Sequence, residues 1–225
     1  RLVGPGAALE RFLVVSESGI GKSRLLHEFE RWCEERPETG LLFRARATPQ
    51  TRTVPYGLLR DVFAWRWQIL DTDEPGAARR KLEDALLPLC TSSDDDADRA
   101  DRADPASTRD EAEAHVHLLG HLIGLGYDDS RHVRGIRHDP QQIRDRGFQA
   151  AALALRRVAR RSDTSILMLL EDLHWADDGS LDFMVHLTQA HADAPLFLLA
   201  LTRPSLFERR PGWPGSADAQ LVALA

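Results

Sequence analysis

The chain is poor in cysteine and tyrosine, with two of each in 225 residues. Cys33 and Cys90 form neither a metal-binding nor a disulfide pattern. That points to a reduced, cytoplasmic setting. No apolar run approaches the length of a membrane-spanning helix, so no membrane partner is expected. A basic stripe is also missing. The net charge is −6, and residues 94–113 alone hold nine acids and three arginines. The remainder is near neutral, which argues against a direct nucleic-acid surface. There is no internal repeat. The sequence opens at Arg1 without a Met and stops inside the apolar run Leu221–Leu224. It therefore reads as a piece of a longer protein.

What is present is an alternation of strands and helices. Phe12 to Val15, Leu41 to Ala47, Ile166 to Leu170 and Leu196 to Leu201 are apolar strand candidates, and Leu221 to Leu224 starts one more. The runs at 166 and 196 are unbroken, as in central parallel strands covered on both faces. Helices are expected over Lys22–Glu35, Leu58–Leu70, Asp71–Cys90, Glu111–Leu125, Pro140–Arg161 and from Asp177 to about Ala192. Residues 91–113 carry too little apolar area to pack, which predicts disorder. Such an alternation gives an α/β fold with a parallel sheet and helices on both faces. His117 and His121 lie four apart on one helix, yet no acid or Cys in the local pattern completes a metal site. Trp65 and Trp67 read as packing residues rather than a base-stacking platform.

The chemistry begins at Ser16-Glu17-Ser18-Gly19-Ile20-Gly21-Lys22-Ser23-Arg24. A strand precedes it and an amphipathic helix follows, which is the context of a phosphate-binding loop. Backbone N–H groups of such a loop and of the helix start converge on an oxyanion. Gly19 and Gly21 let the backbone bend and approach phosphate. Lys22 adds a positive charge, and Ser23 offers a hydroxyl to Mg²⁺. The pattern G-x-x-x-x-G-K-[ST] has Ser16 in its first position here.

Two further strands end in polar residues. The run at 166 ends in Glu171-Asp172, and the run at 196 ends in Thr202-Arg203-Pro204. In open parallel sheets, ligands lie at the carboxyl ends of strands. A phosphate cradle, carboxylates for metal and water, and a cation for the terminal phosphate are what nucleoside triphosphate hydrolysis requires.

LVG, ESGIGKSRLLHEFE, ILMLLEDLHWADDGSLDFM and LLALTRP resemble the STAND-type signalling ATPases, AAA-like P-loop NTPases of the additional-strand branch. RATPQTRTVPYGLLRDVFAWR, DPQQIRDRGF and TRPSLFERRPGW look most like the subgroup linked to class III adenylate/guanylate cyclases; large LuxR-type regulators carry similar modules. The resemblance implies a three-layer P-loop domain over residues 1–225, lacking its lid, with strand order 5-1-4-3-2. A helical insertion at 71–139 would follow strand 2 and hold the acidic loop 91–113. It implies ATP or ADP with Mg²⁺ as cofactors. Residues 16–24 would bind nucleotide. Ser23 and Glu171 would serve the metal, Glu171 through water. Lys22, Glu171, Asp172 and Arg203 would act in hydrolysis, with the roles of the two adjacent acids left open. His174-Trp175-Ala176-Asp177 is a family signature, and a packed turn with Asp177 or Asp178 at the helix start is the simpler reading. The function implied is an ATP-binding, slowly hydrolysing switch, with an effector domain in cis and self-association as possible partners. A non-hydrolysing nucleotide-bound scaffold is the alternative, as is a module of a LuxR-type regulator.

Overall fold

A computed structural model describes residues 10–17, 19–36, 40–91, 105–162, 164–190, 196–214 and 220–223. The described elements are β1 (Glu10–Val15), α1 (Lys22–Glu34), β2 (Leu41–Arg46), α2 (Gly57–Trp67), α3 (Pro75–Thr91), α4 (Pro105–Leu122), α5 (Arg131–Arg134), α6 (Pro140–Arg161), β3 (Ile166–Glu171), α7 (Asp178–Ala190), β4 (Leu196–Thr202), α8 (Ser205–Arg209) and β5 (Gln220–Ala223). Short 3-10 turns at Thr51–Thr53 and Leu173–Trp175 complete them. The chain divides into two compact units, one made of residues 1–66 and 162–225, the other of 67–161.

The first unit is built on one sheet with strand order β2-β3-β4-β1-β5. Every strand pair is parallel, so all carboxyl ends emerge at one edge. The register sets Val15 beside Thr202, and Arg46 beside Glu171. β3 and β4 are buried along their whole length. Side chains alternate between faces along a strand. One face of the sheet presents Val14, Leu167, Leu169, Leu199 and Leu201 to Leu26 and Cys33 of α1. From the other face, Leu13, Leu198 and Ala200 line a small apolar cavity with Met184 and Thr188 of α7. Helices thus cover both faces, as the unbroken apolar runs require.

The second unit is helical. α3, α4 and α6 pack on one another, and α5 packs on α4. Gly120 lies against the Tyr127 ring and Gly147 against Leu122. The unit also contains α6, beyond the 71–139 expected for an insertion.

Part of the expected disorder at 91–113 is corrected. Thr91 ends α3, and residues 105–113 form the first half of α4. Pro105 suits an opening helical position, since its fixed φ matches the helix and its missing N–H has no partner there anyway. Ala112 is buried, Arg109 pairs with Glu113 at 3.2 Å, and Arg131 pairs with Glu113 at 3.1 Å. Those contacts outweigh the low apolar content. Residues 92–104 lie outside the described residues. α8 also forms where a loop-rich stretch was expected. Leu206, fully buried, anchors it.

Candidate nucleotide site

The site lies at the carboxyl edge of the sheet in the first unit. β1 hands the chain to the loop at Ser16, whose N–H donates to Thr202 O at 3.3 Å. Ser16 is buried and is not among the described residues with positive φ. Serine in the first loop position therefore introduces no left-handed strain. Its hydroxyl takes a direct part. Lys22 Nζ donates to Ser16 Oγ at 3.0 Å, to Ser16 O at 2.5 Å and to Glu17 O at 2.6 Å. The lysine folds back and closes the loop.

Gly19 and Gly21 have φ of 90° and 91°, a region that favours glycine. A Cβ at either would meet no atom within 4 Å. The space beside them is open, as an approaching phosphate needs. Gly21 is the N-cap of α1, and Ser23 and Arg24 are exposed in its first turn. Ser18 lies outside the described residues.

β3 delivers the two acids to different surroundings. Glu171 is buried, and its Oε1 accepts from Arg44 Nη2 at 2.9 Å. Arg44 also donates to both oxygens of Glu30 on α1, at 2.8 and 3.0 Å. Burial works against the Arg44 charge, but the two carboxylates outweigh it and raise its pKa. Asp172 follows with φ 55° and ψ 39°, which turns the chain out of the strand into the 3-10 turn. Its Oδ2 accepts from Arg46 Nε at 3.0 Å. The Lys22 pKa is lowered by burial and then by Arg203, while Asp172 and Glu17 pull it up. Lys22, Asp172 and Arg203 therefore share one electrostatic neighbourhood.

The turn after Asp172 is tightly fixed. Asp177 accepts from Ser180 N at 2.9 Å and Ser180 Oγ at 2.6 Å, which caps α7. It also accepts from Tyr56 N at 2.8 Å. Asp178 pairs with Arg209 at 3.6 Å and Arg210 at 3.4 Å. The packed-turn reading of His174–Asp177 is what the chain adopts. Several buried polar atoms in this region have no hydrogen-bond partner: both ring nitrogens of His174, Arg203 Nε and Arg209 Nε. Buried unpaired donors and acceptors are costly. Lys22, Arg203 and Arg209 all act on the His174 ring, so this turn lies in a cationic surrounding that suits an anionic group such as a phosphate.

Sequence reasoning named the loop, Glu171, Asp172 and Arg203, which the fold sets at the carboxyl edge of the sheet. It did not foresee that Arg44, Arg46, Glu30 and Arg209 would pair around these acids and the turn after them. The signal was two arginines two apart in an otherwise apolar strand, which places both on one face. His117 Nδ1 meets Ser130 Oγ at 2.8 Å. Asp110, Glu113 and His132 offer ligand atoms within 4.8 Å of one another, but Arg131 already bridges both carboxylates.

A parallel α/β sheet with a glycine loop, a lysine and two acids at its carboxyl edge defines a P-loop nucleotide-binding protein. The family model described as AAA ATPase domain matches residues 3–199, and the chain belongs to that family. It is thus a P-loop ATPase module. An uncharacterized protein of Rhizobium meliloti (strain 1021), R02095, is 27% identical over 223 residues. That match covers 99% of this chain and 18% of the relative, so the chain spans under a fifth of the relative's length. No solved structure matches. Among the described residues, no helix is long and apolar enough to cross a membrane.

Proposed function

We propose that the chain is the ATP-binding, slowly hydrolysing switch module of a multidomain signalling protein. The observation that carries this reading is the parallel pairing that ends β1, β4 and β3 side by side, so that the loop with its open, left-handed glycines, Arg203 and Asp172 follow adjacent strand ends. The much greater length of the Rhizobium relative supports a multidomain setting. β4 stands between β1 and β3, which supports the additional-strand branch and with it the STAND type. The cyclase link rests on the resemblance of the flanking segments. An effector domain in cis, beyond this chain, and a lid would read the nucleotide state in a cytoplasmic protein.

Mg-ATP would supply the scissile phosphoanhydride and the metal charge. The chain's own residues would do the rest. Loop N–H groups from Glu17 to Arg24 bind the phosphates, and Lys22 exchanges the Ser16 and Glu17 carbonyls for phosphate oxygens. Ser23 and, through water, Glu171 serve the metal. Asp172 orients the attacking water, and Arg203 meets charge on the terminal phosphate. Nucleotide titration of wild type and K22A tests the reading. Affinity for Mg-ATP should fall in K22A; equal affinities would sink it.

A specific observation favours a second reading, a nucleotide-bound scaffold that does not turn over. Arg44 engages Glu171 and Arg46 engages Asp172, so neither acid is presented bare. Single-turnover hydrolysis by wild type that is lost in D172N decides for the switch.

A further inference from the structure

Ser16 holds the first position of the loop pattern, where glycine is expected. It is not among the described residues with positive φ, so the backbone does not call for glycine there. What serine adds is a hydroxyl, and the residue is only 5% exposed. A lysine ammonium has three donors and no acceptor. Lys22 Nζ meets three oxygens of this loop: Ser16 O at 2.5 Å, Glu17 O at 2.6 Å and Ser16 Oγ at 3.0 Å. The two carbonyls belong to the backbone and stand there whatever residue occupies position 16. The third contact exists only because that residue is serine. Ser16 Oγ also donates to Glu17 O at 3.4 Å, so the hydroxyl keeps a partner when the ammonium leaves it.

We propose that the Ser16 hydroxyl restrains Lys22 against the loop, so that a nucleotide's phosphate binds more slowly and more weakly than it would to the same loop with alanine or glycine at that position. The inference rests on the nucleotide-site reading above and deepens it. Ser16 is a positioning residue that acts through Lys22. With alanine, the lysine would still fold back onto two carbonyls, but one donor would stay free for an arriving oxyanion. With serine all three donors are engaged, and the first phosphate oxygen competes with a buried hydroxyl. Phosphate carries charge and the hydroxyl does not, so the exchange still goes forward. Its cost is the lost bond between Lys22 and Ser16. Serine therefore favours the folded-back lysine over the phosphate-bound one, and affinity falls by that difference. Nucleoside di- and triphosphates are affected alike, because both bring phosphate to Lys22.

The test is binding of Mg-ADP and of the non-hydrolysable β,γ-imido analogue of ATP to wild type, S16A and S16G, by calorimetry and stopped-flow association. S16A should bind both nucleotides about tenfold more tightly, the worth of one hydrogen bond to a charged group. The gain should lie in faster association, with dissociation within about twofold of wild type. Urea unfolding without nucleotide gives an independent readout. The stability losses of S16A and K22A should be less than additive in the double variant, because the hydroxyl acts through the lysine. A merely structural serine would lower stability and affinity together. S16G should shift affinity in the same direction, and it is read in place of S16A if that variant does not fold. Equal or weaker binding by S16A, a gain that lies wholly in slower dissociation, or additive stability losses overturns the proposal. Wild type and S16A that both bind neither nucleotide remove the site reading and the inference together. Wild type that binds both, with S16A no tighter, removes the inference alone.

Discussion

Asp177 accepts the backbone N–H of Tyr56 at 2.8 Å, although the two residues are 121 positions apart. The same carboxylate caps α7 through Ser180, and the Ser180 hydroxyl in turn accepts from Leu59 N at 3.1 Å. One buried acid thus starts α7 and fixes the start of α2. Tyr56 has φ 57°, and its ring lies where a Cβ on Gly179 would be. The turn that follows Asp172 is clamped at its other end, at Asp177. Asp177 thus holds the frame of that turn.

D177A should therefore destabilise the fold by about 2–4 kcal/mol. The loss combines a helix cap of about 1 kcal/mol with buried donors left unpaired at about 1–3 kcal/mol. D177N, which keeps one acceptor oxygen, should recover part of it. Denaturant unfolding of the three proteins measures this. A change under about 0.5 kcal/mol in D177A would show that the clamp is not holding the turn.

Arg44 makes a second prediction. Its guanidinium joins Glu30 on α1 to Glu171 on β3, and only 7% of the Glu171 side chain is exposed. Removing the cation leaves that carboxylate buried and unpaired. R44M should cost about 1–3 kcal/mol; because 38% of the Arg44 side chain is exposed, solvent screens the pair and the larger figure for fully buried ion pairs does not apply. An R44M/E171Q double variant should regain much of the loss. A double-mutant cycle in urea tests the coupling, and additive losses would deny it.

Several features were legible in the sequence because they are local. The unbroken runs at 166 and 196 became β3 and β4, and Pro140 and Arg161 bound α6 as the helix signals indicate. The glycine loop could be read because its geometry depends on residue type at fixed spacing. Arg44, Arg46 and Arg209 could not, because their partners come from other strands and helices. The start of α4 was hidden for a related reason. Its stabilising contacts come partly from Arg131, distant in sequence, rather than from an apolar stripe.

The helical unit should lose stability in mild acid. Burial lowers the pKa of His115 and of His117 below the ordinary 6.5; Arg157 adds to this at His115, and Glu83 opposes it at His117. The unfolded chain therefore binds more protons than the folded one at and below that value. Stability is full above about pH 6.5 and falls as pH drops below it, levelling once the folded rings are protonated. Glu113 adds a later loss. Its pKa is lowered by the bond from Arg109 and by Arg131, so its contribution is present above the ordinary 4.5 and fades as pH falls further. Urea midpoints from pH 7.5 to 5.5 should decline in wild type and decline less in H117Q. Equal slopes in the two would remove His117 from the account.

The last prediction concerns the loop itself. Gly21 has φ 91° and caps α1, and no atom lies within 4 Å of a Cβ built there. G21A therefore meets no clash in the absence of nucleotide, only backbone strain. A left-handed conformation costs a non-glycine residue about 1–2 kcal/mol. The unliganded protein should lose about that much stability. With nucleotide the loss should grow, because the open space beside the loop is where phosphate oxygens must come. Mg-ATP should then raise the melting temperature of wild type clearly and that of G21A little, since ligand stabilisation follows affinity. Stability that falls while the nucleotide-induced shift stays at its wild-type size would mean that phosphate does not approach Gly21.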